Sequence, residues 1–312
     1  MAFISIENLK TGYKTEKGIL QAVDDVSFSL ENGESIGIAG ESACGKSTLG
    51  NSIMRIVPDG SITSGDITLE GKSISKMSKS EFAKNVRWKD ISMVFQGAMN
   101  YLDPVFTVEE QFVEVLKQHH YDGDHKQKIS EIVNSVGLDH KVLKQYPHEL
   151  SGGMKQRVVI AMALLLKPKF IIADEPTTAL DVLVQAQIIN LLKKLKKNGM
   201  SIMLITHDLA IISEIAEKIG IVYAGQMIEF GNASEIYKNP KHPYTQGLLK
   251  SIPRLRGDKV TNYIKGTPPS LIEPIPQGCR FYDRCPQAME KCKKDVQKCK
   301  TESGYVSCWL YE

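Results

Sequence analysis

The sequence contains no long hydrophobic run and no leader-like N-terminus. Its longest uninterrupted apolar stretch, residues 158–166, is far shorter than the roughly 20 residues that a helix needs to cross a bilayer. Residues 1–7 lack a basic segment followed by an apolar stretch, so no secretory signal is expected. These absences favour a cytoplasmic protein whose contact with a membrane, if any, is made through a partner.

A strong net charge, internal repeats and low-complexity tracts are missing as well. The formal net charge is only +3 at pH 7, which by itself says little about nucleic acid. The densest basic stretch, residues 291–300, has no aromatic residues among its lysines, so a solvated face explains it better than a nucleic-acid surface. With 312 residues, the chain suits one large domain with an appendage, or two domains.

One group of segments shows the alternation of half-exposed strands. Residues 3–9 and 26–30 alternate between apolar and polar side chains, and residues 67–69 follow a predicted turn at Gly65 and Asp66. Because successive side chains of a strand point to opposite faces, this pattern indicates antiparallel strands with one solvated face.

A second group of segments is apolar throughout. Residues 35–39, 170–173 and 201–206 are short continuous apolar runs. Strands of a parallel sheet have this character, since helices cover both of its faces. The two groups together predict an α/β fold with two kinds of strand.

Helices are predicted between these strands. Thr107 and Glu110 have the spacing of a capping box, which would open a helix towards His119. Periodic apolar residues predict further helices at 129–136, 154–166 and 184–197, the last with Gly199 as its C-terminal cap. Residues 97–167 therefore form a mostly helical insertion in this interpretation. Prolines become frequent after residue 240, where we place the boundary between domains 1–240 and 241–312.

The segment GESACGKST at residues 40–48 follows an apolar strand and precedes a plausible helix. This is the context that a P-loop requires, because its glycines let backbone N–H groups turn towards phosphate oxygens at a helix N-terminus. Lys46 would contact the β- and γ-phosphates, and Ser47 would ligate Mg²⁺. The candidate nucleotide-binding residues are Gly40, Glu41, Ser42, Ala43, Cys44, Gly45, Lys46, Ser47 and Thr48.

Two adjacent acids, Asp174 and Glu175, end the apolar strand at 170–173. Strands of α/β proteins place ligands at their carboxyl edge. Neighbouring like charges repel, so packing rarely explains two acids at the end of a buried strand. The pair is therefore a candidate hydrolytic centre.

A second anion site is predicted at the segment LSGGMKQ, residues 150–156. Ser151 and the two glycines would present backbone donors at the start of the 154–166 helix. A simple helix cap is the alternative. The chain thus has two phosphate-binding surfaces but only one lysine-bearing loop.

The ordered set of Tyr13, the P-loop, Gln96, the 150–156 segment, the 170–175 segment and His207 resembles the nucleotide-binding subunits of ABC transporters. The resemblance implies a P-loop ATPase of the ABC type, with a mixed sheet core, an antiparallel β subdomain, a helical insertion and a small Cys-rich C-terminal extension. ATP and Mg²⁺ are the implied substrate and cofactor.

The same resemblance implies roles for the remaining residues. Asp174 would lie in the outer Mg²⁺ shell, and Glu175 would be the general base towards the attacking water. Gln96 would contact Mg²⁺ and that water, His207 the γ-phosphate, and Tyr13 the adenine. A second subunit, identical or related, would complete the ATP sandwich, with trans contacts made by Ser151, Gly152, Gly153, Gln156 and Asp181.

Two P-loop positions depart from the usual GESGSGKS of these relatives, namely Ala43 and Cys44. Neither position supplies a required side chain. Backbone donors at a helix N-terminus lower the pKa of a thiol, which gives the hypothesis that thiol reagents inactivate the protein and that ATP protects Cys44. A merely tolerated small residue is the alternative.

The tail resembles that of the oligopeptide/dipeptide (and nickel) importer ATPases, through residues 242–249 and 266–270. Every cysteine except Cys44 lies between residues 279 and 308, and such clustering suggests metal rather than disulfides in a cytosolic protein. The resemblance implies a [4Fe–4S] cluster, while Zn²⁺ stays open because four thiolates suit it equally. The implied ligands are Cys279, Cys285, Cys292 and Cys308, with Cys299 as a free thiol.

We therefore expect a peripheral ATPase on the cytoplasmic side of the membrane that energises uptake of dipeptides or oligopeptides. Two permease subunits and a substrate-binding protein would be its partners. Nickel or another small solute is the alternative cargo. An ABC ATPase of DNA repair or translation is the alternative from another class, but the long heptad insertions or doubled ATPase cores usual there are missing.

Overall fold

The structure is a computed structural model that describes residues 2–57, 60–251, 264–272, 274–275 and 277–312. The chain forms two compact units, Met1–Lys76 with Leu204–Glu312 (the first unit) and Met77–Met203 (the second unit). In the described part of the chain, no helix has the length and apolar character needed to span a bilayer. The domain boundary near residue 240 stays a prediction.

The regular elements are numbered along the chain. The strands are β1 (Ile4–Thr15), β2 (Gly18–Leu30), β3 (Ile36–Ala39), β4 (Gly60–Leu69), β5 (Lys72–Ser73), β6 (Ile91–Val94), β7 (Phe170–Asp174), β8 (Ser201–Ile205), β9 (Lys218–Tyr223), β10 (Gln226–Asn232), β11 (Cys299–Lys300) and β12 (Tyr305–Val306). The α-helices are α1 (Lys46–Ile53), α2 (Lys79–Asn85), α3 (Val108–Gln118), α4 (His125–Ser135), α5 (Gly152–Leu164), α6 (Val182–Lys197), α7 (Leu209–Ile215), α8 (Ala233–Lys238) and α9 (Pro243–Lys250).

The first unit contains an antiparallel sheet with the strand order β2-β1-β4-β5, as the alternating segments predicted. The predicted turn at Gly65 and Asp66 is wrong, because both residues lie inside β4. The register between β1 and β4 shifts there, and Gly65 has a φ of 95°. A Cβ at Gly65 would lie 2.5 Å from the carbonyl oxygen of Asn8, so the glycine marks a bulge rather than a chain reversal.

The first unit also contains strands in the order β11-β12-β10-β9-β3. β3 runs parallel to β9, with Ile38 opposite Gly220, and it is buried along its length, as its apolar run predicted. β10 pairs antiparallel with both β9 and β12. The C-terminal tail thus adds its strands to the sheet that leads into the P-loop.

In the second unit, β6 and β7 pair in parallel with Val94 opposite Ala173, and both are buried. The predicted capping box is confirmed, since Thr107 caps α3 together with Glu110. α5 and α6 each begin two residues earlier than predicted. In both cases a side chain at the N-cap, Ser151 or Asp181, accepts a backbone N–H and so fixes the start of the helix.

Candidate nucleotide-binding and hydrolytic site

The P-loop joins the end of β3 to α1 and lies tightly against neighbouring backbone. A Cβ at Gly45, whose φ is 102°, would lie 2.0 Å from the carbonyl oxygen of Ala22. A Cβ at Gly40 would lie 2.1 Å from the carbonyl oxygen of Val222. Because backbone oxygens cannot swing away as a flexible side chain can, only glycine fits at these two positions.

Lys46 lies at the first turn of α1 and is only 8% exposed. Its Nζ donates hydrogen bonds to the carbonyl oxygens of Gly40 and Glu41, each at 2.8 Å. The ammonium is thereby held inside the loop, where neutral carbonyl dipoles satisfy it. A phosphate oxygen bound there would form a stronger, charge-assisted hydrogen bond with the same group.

Two other predicted residues of the first unit lie close to this loop. The Tyr13 hydroxyl shares a hydrogen bond of 3.0 Å with Oγ1 of Thr48, which places the aromatic ring beside the P-loop. The Thr206 N–H donates to the carbonyl oxygen of Ile38 at 3.2 Å, so His207 follows directly after a segment paired with β3. His207 itself is exposed.

In the second unit, Gln96 and Glu175 each lie two residues beyond the paired Val94 and Ala173. The parallel register therefore brings Gln96, Asp174 and Glu175 to one carboxyl edge. Glu175 accepts a hydrogen bond of 3.1 Å from Oγ1 of Thr178 and has a φ of 48°. A non-glycine residue in the left-handed region costs about 1–2 kcal/mol, and such strain concentrates at functional sites.

The 150–156 segment is also in the second unit. Oγ of Ser151 accepts a hydrogen bond of 3.3 Å from the Met154 N–H, so Ser151 caps the helix. The anion site at this segment stays a prediction. The exposed Gly152 adds its N–H to the same helix N-terminus, while Gln156 is buried.

Asp181 caps α6 by accepting from the Val184 N–H, and a Cβ at Gly153 would lie 2.7 Å from Cγ1 of Val184. The 150–156 segment and the start of α6 therefore pack together.

For Cys44, the expected direction of the pKa shift is wrong. The thiol is only 4% exposed, and burial raises its pKa even though the Lys46 ammonium acts to lower it. The hypothesis of a thiol activated at the helix N-terminus considered the backbone donors but not this desolvation. Cys44 is therefore a buried, weakly acidic thiol.

We expect Cys44 to react slowly with iodoacetamide at pH 7.5, because a raised pKa lowers the thiolate fraction and the thiolate is the nucleophile. The less buried Cys299 is the internal comparison in the native protein. Mass spectrometry after timed alkylation should find label on Cys299 first, with the Cys44 rate rising as the pH is raised. Preferential labelling of Cys44 at neutral pH would contradict this assignment.

The four tail cysteines predicted as ligands, Cys279, Cys285, Cys292 and Cys308, line one small cavity. Burial, reinforced by the three neighbouring thiols, raises the pKa of Cys279 to about 11. Cys299 does not line this cavity. Within the described ranges, however, no three His, Cys, Asp or Glu side chains are arranged closely enough to form a ready metal site. The four thiols therefore line one cavity, but they are not arranged as a preformed metal site.

Sequence reasoning missed two residues that contact the P-loop. Arg284 forms an ion pair with the Glu41 carboxylate, and the Tyr244 hydroxyl accepts a hydrogen bond of 2.9 Å from the Glu41 N–H. These partners are 243 and 203 residues away from Glu41 in the sequence. No local pattern signals contacts over such a separation.

Two protein-family models match different parts of the chain. The family model of the ABC transporter matches residues 23–178. The model of the oligopeptide/dipeptide transporter C-terminal region matches residues 228–292. The second match includes Tyr244, Arg284 and three of the four cavity cysteines.

Individual relatives agree with these matches. The chain is 43% identical to the dipeptide transport ATP-binding protein DppD of Bacillus subtilis, over 99% of this chain and 95% of that protein. It is 44% identical to the oligopeptide transport ATP-binding protein AppD of the same organism, over 99% and 97%. It is 43% identical to the oligopeptide transport ATP-binding protein OppD of Escherichia coli, over 93% and 88%.

A solved structure supports the fold. The dimeric post-hydrolysis form of the ATP-binding cassette MJ0796, bound to ADP and phosphate, superposes with a TM-score of 0.65 at 29% identity. The match covers 74% of this chain and 98% of the cassette. The chain therefore belongs to the ATP-binding subunits of ABC transporters, in the group with an oligopeptide/dipeptide transporter C-terminal region.

Proposed function

We propose that this chain hydrolyses ATP to energise uptake of dipeptides or oligopeptides across the cytoplasmic membrane. The observation that carries the proposal is the glycine-bounded loop that holds the buried Lys46 ammonium at its centre. The relatives are named for dipeptide and oligopeptide transport, which supports a peptide as the cargo.

The P-loop binds the triphosphate in this mechanism. Backbone N–H groups within residues 42–48 donate to the phosphate oxygens, and Lys46 leaves its carbonyl partners for the β- and γ-phosphates. The ring of Tyr13, held near Thr48, stacks on the adenine. Ser47 and Gln96 would hold Mg²⁺, which when bound neutralises charge on the phosphates.

Hydrolysis is the attack of water on the γ-phosphorus. Glu175 accepts a proton from that water, so that inorganic phosphate forms as the bond to ADP breaks. Gln96 orients the water, and His207 donates to a γ-phosphate oxygen. The buried Asp174 would help to hold Mg²⁺ from its outer shell. The shared edge of β6 and β7 supports the joint action of Gln96 and Glu175.

A second subunit completes the site. The exposed helix start at Ser151 and Gly152, together with Gly153, Gln156 and Asp181, would face the ATP bound to the P-loop of a partner, either a second copy or a related ATPase. The dimeric form of the structurally similar cassette supports this arrangement. The pair would work at the cytoplasmic face beneath two permease subunits, which a substrate-binding protein supplies.

The cargo can be tested with the assembled transporter. The complex that co-purifies with this chain from membranes is reconstituted in vesicles, and ATP turnover is measured with binding protein loaded with a dipeptide, an oligopeptide or Ni²⁺. Stimulation by a peptide supports the proposal, whereas stimulation by Ni²⁺ alone moves the cargo to the metal. Absence of permease subunits together with salt-sensitive nucleic-acid binding would refute a transport role.

We further propose that the four cavity cysteines hold a [4Fe–4S] cluster. Three observations support this proposal. The four cysteines line a common cavity, Cys299 does not line it, and none of the four is in a disulfide. Four closely spaced thiols cannot all ionise without a compensating cation, so metal binding would draw them inward as thiolates. Zn²⁺ uses the same ligand type and is the rival outcome.

Protein purified without oxygen should be brown and contain about four iron atoms and about four sulfides per chain. Cys285→Ser should lower the iron content and the visible absorbance by more than about half, since it removes one of four ligands. Cys299→Ser is the matched control and should leave both unchanged. Colourless protein with zinc and no iron, or equal iron loss in both variants, would overturn the assignment.

A further inference from the structure

The C-terminal tail reaches the P-loop through one arginine. Arg284 has a side chain only 5% exposed, and its Nη1 and Nη2 donate to Oε2 and Oε1 of Glu41 at 2.8 and 2.9 Å. Two parallel bonds between a guanidinium and a carboxylate fix both the distance and the orientation of the two groups. Glu41 is the second residue of the P-loop, so its side chain is clamped from outside the loop.

Arg284 is itself held by several other groups of the chain. Its Nη1 also donates to the Tyr223 hydroxyl at 3.1 Å, and its Nε donates to the carbonyl oxygen of Lys265 at 2.9 Å. The guanidinium lies over the rings of Tyr223 and Phe281, at 5.5 and 5.8 Å from their centroids. A side chain fixed on so many sides loses little further freedom when it holds Glu41.

The backbone of Glu41 is fixed as well. Its N–H donates to the Tyr244 hydroxyl at 2.9 Å, and its carbonyl oxygen accepts from Nζ of Lys46 at 2.8 Å. Glu41 therefore connects the tail arginine to the lysine that would bind phosphate. A change in its position would move the amides that follow it and one of the two carbonyls that orient Lys46.

We propose that Arg284 is a positioning residue for ATP: by clamping Glu41 it holds the P-loop in its phosphate-binding shape. The proposal rests on the nucleotide-binding role proposed above for the loop. It makes the C-terminal region part of the nucleotide site. In the absence of the clamp, ATP must order the loop itself, so affinity falls while the chemical step at bound ATP is unchanged.

The test is equilibrium binding of a fluorescent ATP analogue to the full chain in EDTA, with displacement by ATP, followed by turnover with Mg²⁺ at saturating ATP. Arg284→Gln should weaken ATP binding by about tenfold and raise KM, with kcat within about twofold of the original. Arg284→Lys should bind ATP more tightly than Arg284→Gln but more weakly than the original chain, because an ammonium cannot make the bidentate contact with a carboxylate.

Lys298→Gln is the matched control. Lys298 is another tail cation paired with the body of the first unit, through Asp25 at 2.8 Å, but it does not contact the P-loop. It should leave ATP affinity unchanged. Thermal unfolding of each variant shows whether the protein is folded at the temperature of the binding assay.

Glu41→Ala tests the clamp from the other side, and it carries the proposal if Arg284→Gln does not fold. The Glu41→Ala and Arg284→Gln effects should not add, since each removes the same interaction. Unchanged affinity with only a lowered unfolding temperature, or fully additive losses, would overturn the proposal. Failure of the unmodified chain to bind ATP, or retention of binding by Lys46→Ala, would instead refute the nucleotide site itself.

Discussion

Glu175→Gln is expected to lower ATP turnover by about 10²–10⁴-fold while leaving ATP binding within about twofold. The amide has the shape of the carboxylate, so the left-handed backbone at residue 175 and the hydrogen bond from Thr178 can persist. It cannot accept a proton from the attacking water. Phosphate release and nucleotide binding, measured on the same preparation, separate the two effects.

Glu114→Gln is the control for this change. It makes the same chemical replacement at an exposed position of α3 in the same unit. Its turnover should match that of the unmodified protein. Normal phosphate release by Glu175→Gln would remove Glu175 from the role of general base, and an equal loss in both variants would point to a nonspecific cause.

Gly45→Ala is expected to weaken ATP binding by more than about 10²-fold. The added Cβ would lie 2.0 Å from the Ala22 carbonyl oxygen, so the loop backbone must move away from β2. A displacement of about 1 Å in groups that position a substrate can cost about 10²-fold in rate, and we expect a similar loss where several amides hold one triphosphate. The measurement is the dissociation constant of ATP, with the unfolding temperature recorded beside it.

Gly71→Ala separates the steric effect from backbone strain. Gly71 also has a positive φ, of 76°, but a Cβ there would meet nothing within 4 Å. Alanine in that conformation should cost about 1–2 kcal/mol of stability and leave ATP affinity unchanged. Tight ATP binding by Gly45→Ala would mean that the loop is not held against Ala22 in the way described.

The features that sequence could predict are those fixed by near neighbours. The capping box of Thr107 and Glu110 lies within one helical turn, and the P-loop pattern is set by the strand and helix that adjoin it. The apolar runs at β3, β7 and β8 became buried strands because their composition leaves no solvated face. These contacts need no knowledge of the rest of the chain.

The features that sequence could not predict depend on distant partners. The pKa of Cys44 follows from burial, which the adjacent helix does not reveal. Gly65 resembles a turn residue, yet the close approach of Asn8 makes it part of a bulge. The contact of Arg284 with Glu41 spans 243 residues, so nothing near either residue indicates it.

Peptide uptake into vesicles that contain the assembled transporter tests the central claim most directly. With ATP on the side of this subunit and a radiolabelled peptide delivered by its binding protein, uptake should follow ATP hydrolysis and fall to background with Lys46→Ala. Uptake at the original rate in that variant would show that this chain's P-loop does not power the transport.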